Sequence, residues 1–207
     1  MPRIDAIPRK SIYRLSIYQR CLSRLRDNGV DTVSSEALAK AAGVKSTQLR
    51  KDLTYFGQFG TRGLGYNVEQ LSRTIGEVLG HNRLQPVILV GVGNLGSALL
   101  RYGGFRKEGF EIVSAFDLAP DAAKQAALSV PMHGMDEVGA FVKEHQVKMA
   151  ILTVPATAAQ AVTNQIVQAG IQAILNFSPT VLEVPEHVVV NSVDLAVELE
   201  NLSYFIR

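Results

Sequence analysis

The sequence contains a single cysteine, and this scarcity restricts the chemistry open to the chain. Cys21 cannot form an internal disulfide, so a disulfide-stapled secreted domain is excluded. Because Cys21 lies within an apolar helical pattern, we interpret it as a small buried hydrophobic residue rather than a redox thiol. Cysteine and histidine also form no cluster with the spacing of a metal site, and we predict no bound metal.

Long apolar runs are lacking as well. No run approaches the ~20 residues that a membrane-spanning helix needs. The basic N-terminal residues are not followed by the apolar segment and cleavage site of a signal peptide. Since 47% of the residues are hydrophobic, the chain can still bury substantial cores. We therefore predict a soluble, cytoplasmic protein with no membrane partner.

Charge is divided unevenly along the chain. Residues 1–85 contain 14 lysine and arginine residues against 7 acidic residues, a net charge of +7. Residues 86–207 contain 7 basic against 12 acidic residues, a net charge of −5. A basic first part joined to an acidic remainder indicates that the first part faces a polyanion such as nucleic acid.

Two patterns of hydrophobic spacing meet near residue 80. Upstream, apolar residues recur at helical intervals. Downstream, short apolar runs alternate with helical stretches, which predicts a parallel α/β sheet. The predicted strands are 87–90, 110–116, 149–154, 173–177 and 188–193. We thus predict an α/β protein with a helical domain of winged-helix type at 1–80, a parallel-sheet domain of Rossmann type at 81–193, and a C-terminal helix at 194–207.

Residues 35–56 have the proportions of a helix-turn-helix, with Gly43 permitting the tight turn. Ser46 is predicted to cap the second of the two helices, whose inward stripe is Leu49, Leu53 and Phe56. The outward face carries side chains suited to phosphates and base edges, and the glycine-rich segment after it predicts a wing with Arg62 at its tip. The predicted DNA-binding residues are Lys45, Ser46, Thr47, Gln48, Arg50, Lys51, Thr54, Tyr55 and Arg62.

A G-x-G-x-x-G motif follows the first predicted strand of the second part and opens a helix, which is the context that a dinucleotide fingerprint requires. Its residues are Gly91, Val92, Gly93, Asn94, Leu95 and Gly96. The next strand ends in Asp117, 21 residues beyond Gly96. A carboxylate at that position accepts hydrogen bonds from the ribose and repels a 2′-phosphate, so we predict NAD(H) rather than NADP(H).

Two further strand ends lie at the carboxyl edge of the predicted sheet, where ligands bind in such folds. We predict nucleotide contacts there as well, although each segment is also explained as a loop bounded by proline. The residues are Thr153, Val154 and Pro155 after one strand, and Asn176, Phe177 and Ser178 at the end of the next.

A dehydrogenase is the main alternative for a chain with this fold. It needs a substrate pocket and a proton-transfer group beside the nicotinamide. The nucleotide fold occupies nearly all of the residues after 80, and none of the four histidines forms a recognisable acid–base arrangement with a carboxylate close in sequence. We therefore predict binding without catalytic turnover.

Motifs along almost the whole chain resemble those of the redox-sensing transcriptional repressor Rex family. They are Val33-Ser34-Ser35, Arg50-Lys51-Asp52, Tyr55-Phe56-Gly57, Gly63-Leu64-Gly65-Tyr66-Asn67-Val68, Gly91-Val92-Gly93-Asn94-Leu95-Gly96, Ala115-Phe116-Asp117, Leu152-Thr153-Val154-Pro155, Ile174-Leu175-Asn176-Phe177 and Val193-Asp194-Leu195-Ala196. The resemblance implies a homodimer that binds an inverted-repeat operator, represses genes, and is released by NADH while NAD⁺ permits binding.

The same resemblance implies how the parts of the dimer meet. The C-terminal helix would be swapped between subunits, and its stripe of Leu195, Leu199, Leu202 and Ile206 agrees, although packing within one chain would give the same pattern. Interdomain switch contacts would fall on Arg20, Tyr102 and Asp194.

Overall fold

The computed structural model describes residues 7–57, 59–60, 64–81, 83–120, 125 and 128–206. The chain divides into two compact units, Met1–Arg83 and Leu84–Arg207. Within the described ranges, no helix has both the length and the apolar character needed to cross a membrane.

The first unit is helical, with one short antiparallel strand pair. Its helices are α1 (Arg9–Asp27), α2 (Ser35–Ala41), α3 (Ser46–Thr54) and α4 (Val68–Leu79), and its strands are β1 (Thr32–Val33) and β2 (Tyr66–Asn67). The strands pair Thr32 with Asn67 and Val33 with Tyr66. Strand β1 precedes the helix-turn-helix and β2 follows it, so the strand pair brackets the two helices, in agreement with the predicted winged-helix arrangement.

Side-chain caps begin two of these helices. The Ser34 hydroxyl accepts the Ala37 N–H at 3.0 Å at the start of α2, and the Asn67 side chain accepts the Gln70 N–H at 2.8 Å at the start of α4. The prediction that Ser46 caps α3 is wrong. Ser46 is instead the first helical residue, because Lys45 takes the capping position without a side-chain hydrogen bond.

The core of the first unit forms where α1 packs against α4 and the helix-turn-helix. Leu15, Tyr18 and Leu22 of α1 are completely buried, and they repeat at the three- and four-residue steps that place side chains on one helix face. Leu49 and Leu53 of α3 are buried as predicted, while Phe56 is half-buried beside them. The apolar stripe of α3 therefore faces inward together with the buried Asp52, whereas Thr47, Arg50, Lys51 and Thr54 are exposed.

The second unit is built on a six-stranded parallel sheet in the described residues. The strands are β3 (Gln85–Val90), β4 (Phe110–Asp117), β5 (Met132–Gly134), β6 (Met149–Leu152), β7 (Ala173–Asn176) and β8 (Val189–Ser192), in the order β5-β4-β3-β6-β7-β8. The five predicted strands are confirmed to within two residues at each end. The unpredicted β5 has only three residues, of mixed polarity, which leaves no periodicity to detect.

Helices follow most of these strands. They are α5 (Asn94–Leu100), α6 (Gly104–Lys107), α7 (Val138–Glu144), α8 (Ala156–Ala169) and α9 (Leu195–Tyr204), with a 3₁₀ turn at Met135–Glu137. Alternate residues of β3 serve two cores: Ile88 and Val90 pack on one face of the sheet, and Val87 and Leu89 on the other. Such burial on both faces explains why β3 is apolar throughout its second half.

The strand order reverses at β3, which pairs with β4 on one side and β6 on the other. The helices that follow β3 and β6 diverge at such a point and leave a crevice at the carboxyl ends of the strands. The glycine motif follows β3 directly, so the topology places this motif at the mouth of the crevice.

Helix α9 is apolar but has no buried residue in the single chain. Leu199 and Leu202 are 66% and 64% exposed, and Phe205 and Ile206 are more exposed still. A soluble protein rarely leaves so many large apolar side chains of one helix in water.

Candidate functional sites

The loop after β3 is shaped by two glycines whose backbone leaves no room for a side chain. Gly91 has a φ of +99°, and a Cβ there would lie 2.8 Å from Val154 Cγ1 and 2.9 Å from the Thr153 carbonyl oxygen. A Cβ on Gly96 would lie 2.0 Å from the Gly91 carbonyl oxygen. The first turn of α5 consequently packs directly against the loop, as the fingerprint predicts.

Gly93 has the opposite surroundings. Nothing lies within 4 Å of the position that its Cβ would take, and the residue is exposed. It precedes α5 and provides no side-chain cap, so the first N–H groups of this helix point outward without a capping partner from Gly93. Backbone N–H groups and the positive end of a helix dipole together favour a phosphate.

Asp117, at the carboxyl end of β4, is bonded to the same loop. Its Oδ2 accepts the Val92 N–H at 2.7 Å, and its Oδ1 accepts the Ala119 N–H at 3.0 Å. The half-buried carboxylate still has free lone pairs, since each oxygen can accept two hydrogen bonds. Asp117 therefore holds the backbone of the glycine loop while keeping the capacity to bind a ribose diol.

A cavity of about 370 Å³ lies beside this loop. Its lining residues are Val90, Gly91, Gly93, Asp117, Leu118, Met135, Thr153, Val154, Pro155 and Val162. The structure thus brings six of the predicted nucleotide-binding residues to one cavity. Asn94 and Leu95 lie at the exposed start of α5, and Val92 is buried with its N–H on Asp117.

Four lining residues were missed by sequence reasoning. Leu118 is adjacent to Asp117 and could have been found from that position. Met135 follows the undetected strand β5, so nothing in the sequence placed it at the sheet edge. Val90 and Val162 belong to apolar patterns that only indicate core.

The polar side chains at the ends of β6 and β7 point into the protein framework. Thr153 Oγ1 donates a hydrogen bond to the Gly91 carbonyl at 2.7 Å, and Ser178 Oγ donates one to the Val154 carbonyl at 2.7 Å. Asn176 is fully buried and bonds to Ser178 and to the Ser192 hydroxyl. Phe177, half-buried, packs against the core. These side chains brace the loops around the cavity.

The predicted DNA-binding residues are distributed over the outer face of α3 and its start. Lys45, Thr47, Arg50, Lys51 and Thr54 are exposed, whereas Ser46, Gln48 and Tyr55 are half-buried. Arg62 lies outside the described residues. The structure thus presents two exposed cations and two hydroxyls on the body of a short helix, a surface that suits a nucleic-acid groove.

Arg50 is held in place by α2 as well as by α3. Its guanidinium donates to the Ser35 hydroxyl at 3.1 Å and the Ser46 hydroxyl at 3.3 Å, and it lies 3.5 Å from a carboxylate oxygen of Glu36. All of these groups are solvent-accessible, so the pairing contributes at most about 1 kcal/mol to stability. It orients the guanidinium without burying its charge.

Gln48, Asp194 and Tyr102 each contact a residue of their own unit. Gln48 Nε2 donates to the buried Asp52 at 2.9 Å. Asp194 caps α9 by accepting the Ala196 N–H at 2.9 Å. The Tyr102 ring packs edge-on against Phe105 at 5.0 Å yet is 60% exposed, and Arg20 is also exposed.

A helix-turn-helix with a basic outer face and a parallel sheet with a dinucleotide fingerprint share this chain. Together they define a class of protein, the DNA-binding regulators that carry a dinucleotide-binding unit. Comparisons with known proteins support both halves. The family model "CoA binding domain" matches residues 82–180, and the model "Putative DNA-binding protein N-terminus" matches residues 6–54.

Whole-length relatives share one name. The "Redox-sensing transcriptional repressor Rex" of Carboxydothermus hydrogenoformans is 47% identical over 97% of this chain and 97% of its own length. The protein of the same name from Pelotomaculum thermopropionicum is 46% identical over 96% of this chain and 93% of its own. The crystal structure of RSP with β-NAD⁺ and operator DNA matches with a TM-score of 0.86 at 35% identity, covering 97% of this chain and 92% of that one. This chain belongs to the Rex family.

Proposed function

We propose that this chain is a transcriptional repressor that binds operator DNA and is released from it by NADH. The observation that carries the proposal is the hydrogen bond between Asp117 and the Val92 N–H, which joins a ribose-binding carboxylate to a phosphate-binding loop in a chain that also presents a helix-turn-helix. The related RSP was crystallised with β-NAD⁺ and operator DNA and, separately, with β-NADH. A sensor that couples the nucleotide to DNA binding is the function that both halves serve.

The groups of the glycine loop and Asp117 bind two different parts of the nucleotide. The N–H groups at the start of α5 and the backbone at Gly93 bind the pyrophosphate, and the Asp117 carboxylate accepts the ribose hydroxyls. A phosphate on that ribose would meet the negative carboxylate, so NAD(H) is preferred to NADP(H). The nicotinamide lies beyond the loop, toward the ends of β6 and β7, where Thr153 and Pro155 line the cavity.

DNA is bound by α3 in the major groove, with Arg50 and Lys51 on phosphates or guanine edges and Thr47 and Thr54 on phosphates. Arg62 in the wing is assigned to the minor groove on sequence grounds. We assign these tasks to the domain at 1–80, nucleotide binding to 81–193 and dimerisation to 194–207.

The functional unit is a homodimer in which α9 covers an apolar surface of the partner subunit. The exposed leucines of α9 support this assignment, because each Å² of apolar surface removed from water lowers the free energy by about 25 cal/mol. Arg20, Tyr102 and Asp194 are assigned to the contacts that change when the domains move. Two recognition helices separated by one DNA turn, roughly 34 Å, enter successive major grooves of an inverted repeat.

Release requires a difference in binding. NADH must favour the DNA-incompetent arrangement more strongly than NAD⁺ does, since a ligand with equal affinity for both states shifts nothing. A coupling of about 1–3 kcal/mol is typical of such switches. The charge and shape of the nicotinamide ring are the features that the protein distinguishes.

We also propose that the nucleotide is bound without being consumed. The Thr153 hydroxyl, which lines the cavity, is engaged by the Gly91 carbonyl, and the remaining lining is mainly glycine and apolar side chains. An NAD-dependent oxidoreductase with a basic accessory domain is the competing assignment. Stoichiometric recovery of NADH after incubation with protein and candidate carbonyl substrates supports sensing, and steady oxidation of NADH supports the oxidoreductase.

The central test is fluorescence anisotropy with the full-length protein and a labelled inverted-repeat DNA, selected by this protein from a random library. NADH is expected to release the DNA at concentrations at which NAD⁺ leaves the complex intact. DNA binding that is indifferent to both nucleotides would contradict the sensor, and failure to select any DNA would contradict the repressor and favour the oxidoreductase.

A further inference from the structure

A buried carboxylate on the DNA-facing helix is the strongest feature that the proposed function leaves unexplained. The Asp52 side chain is 0% exposed, although aspartate is rarely found fully buried. Five hydrogen bonds reach its two oxygens. They come from Ser11 Oγ at 3.0 Å, Arg14 Nε at 2.5 Å, Arg14 Nη2 at 2.7 Å, Tyr18 Oη at 2.8 Å and Gln48 Nε2 at 2.9 Å. We call Asp52 and these four donor residues the Asp52 hub.

Within the hub, the positive charge of Arg14 balances the negative charge of the hydrogen-bonded Asp52 carboxylate. Burial alone would raise the pKa of Asp52, but the hydrogen bonds from Arg14, Tyr18 and their neighbours outweigh it and lower the pKa to about 2. The bond to Asp52 likewise raises the pKa of Arg14 above its usual range. Arg14 binds through both Nε and Nη2, which fixes the plane of the guanidinium relative to the carboxylate.

The members of the hub are spaced to join two helices. Ser11, Arg14 and Tyr18 stand three and four residues apart, on one face of α1. Gln48 and Asp52 stand four residues apart, one turn from each other on α3. The hub therefore bonds one face of the first half of α1 to one face of α3.

Helix α3 has nine residues, and its buried apolar contacts include Leu49 and Leu53. Apolar packing is not directional. Two leucines therefore determine how closely a short helix packs on the core better than they determine its rotation about its own axis. Hydrogen bonds to a carboxylate are directional. A rotation by one residue, about 100°, would replace the outward Arg50 and Lys51 by other side chains, and this rotation would break the bonds to Asp52.

We infer that Ser11, Arg14, Tyr18 and Asp52 are positioning residues for DNA recognition, and that Gln48 is a member of this hub. This inference rests on the proposed function and adds to it. The hub sets the rotation of α3, so that Arg50 and Lys51 face the groove. Gln48 thereby acquires a role other than the base contact predicted from the sequence.

The first test compares Arg14→Lys and Tyr18→Phe with the control Tyr13→Phe, since Tyr13 lies on the same helix with a 71% exposed ring. Each full-length variant is titrated with operator DNA and with a scrambled duplex, alongside NADH titration and thermal unfolding. Lysine keeps the charge but loses the two-point contact. We expect about a tenfold loss of operator affinity, with scrambled-duplex affinity within about twofold because phosphate contacts remain.

The second test uses Gln48→Ala against a panel of operators, each with one base pair changed. A hub member is expected to reduce discrimination at several positions together, because the whole helix is misplaced. A residue that reads one base would relax discrimination at a single position, and that result would remove Gln48 from the hub.

Hub failure and failure of the proposed function give different results. Wild-type protein that binds no operator overturns the repressor and the hub together. If wild-type protein binds operator, two results would overturn the hub alone. One is that Arg14→Lys and Tyr18→Phe retain wild-type specificity. The other is that their affinities for operator and for scrambled duplex fall in parallel with thermal stability. Unchanged NADH affinity together with lost operator specificity in these variants supports the positioning role of the hub.

Discussion

At the scale of single residues, several side chains serve the protein framework and a proposed ligand together. Asp117 is the clearest case, because its carboxylate accepts two backbone N–H groups and still has lone pairs for a ribose. Thr153 similarly uses its hydroxyl to bond the loop after β3 while lining the cavity. Substitutions at such residues are expected to alter ligand binding through the loop as well as through direct contact.

Replacement of Asp117 by alanine is expected to weaken NADH binding about 10- to 100-fold. Hydrogen bonds to a charged group contribute about 1.5–3 kcal/mol each, and the glycine loop loses its anchor at the Val92 N–H. Isothermal titration calorimetry with NADH measures the change. Affinity for NADPH should fall less, since the repulsion of a 2′-phosphate is relieved. Glu144→Ala, at an exposed position on α7, is the control; equal NADH affinity in Asp117→Ala and this control would remove Asp117 from the site.

The buried charge of Asp52 is expected to make stability depend on acid pH. The folded pKa of about 2 lies below the ordinary value of 3.8, so the carboxylate stabilises the fold above pH 4, and this contribution is lost as the pH falls toward 2. The difference corresponds to about 2 kcal/mol at neutral pH. Urea unfolding of the wild type between pH 6 and 2 should show the decline, and Asp52→Asn should flatten it. An equally steep decline in Asp52→Asn would assign the pH dependence to other carboxyl groups.

At the scale of elements, α3 is the helix on which the DNA-binding prediction depends. Its inward leucines and outward cations follow from the helical period alone. The bonds of Arg50 to Ser35 and Ser46 show that α2 and the start of α3 also orient this exposed side chain. These bonds are exposed and exchangeable, so a phosphate can compete for the guanidinium.

Alanine at Arg50 and Lys51 together is expected to lower operator affinity by about two orders of magnitude and to reduce the magnitude of the salt slope by about 2, if both side chains contact phosphates. Anisotropy titrations at several salt concentrations measure the affinity and the slope together. Lys143→Ala, an exposed lysine of α7, should change neither. Operator binding that survives the double substitution unchanged would show that α3 is not the recognition helix.

At the scale of the whole molecule, α9 is the element that the single chain leaves unfinished. A helix that carries several exposed leucines and aromatic residues but no buried one needs a surface to cover it. The homodimer supplies such a surface in our proposal, and the loss of that contact is expected to affect DNA binding, since an inverted repeat needs two recognition helices at a fixed distance.

Replacement of both Leu199 and Leu202 by glutamate is therefore expected to shift the protein toward monomer, because charges would replace apolar side chains in the interface. Light scattering coupled to size-exclusion chromatography measures the mass, and operator affinity should fall by at least about tenfold while NADH binding persists. Glu200→Gln on the same helix is the control. A dimer of unchanged stability in the double variant would place the interface elsewhere.

Local patterns in the sequence determined much of this protein. Helical spacing predicted the buried face of α3, the Ser34 and Asn67 caps followed from their side-chain chemistry, and the glycine motif after β3 predicted the steric crowding seen at Gly91 and Gly96. Each of these features depends on residues within a few positions of each other. Periodicity and backbone freedom are local properties, so the sequence displays them directly. Capping is predicted less well, since α3 begins after Lys45 and not after the predicted Ser46.

The tertiary structure alone decided which distant residues meet. Asp52 and Arg14 are 38 residues apart, and nothing near either position indicates that a charge on α3 is buried. Met135 lines the cavity because it follows the three-residue strand β5, and Val162 lines it from the core helix α8. Thr153 and Asn176, which the sequence predicts to contact ligand, also bond to neighbouring loops and strands, and neither segment indicates these partners. Long-range hydrogen bonds depend on how the elements pack, and that packing is a property of the folded chain rather than of any one segment.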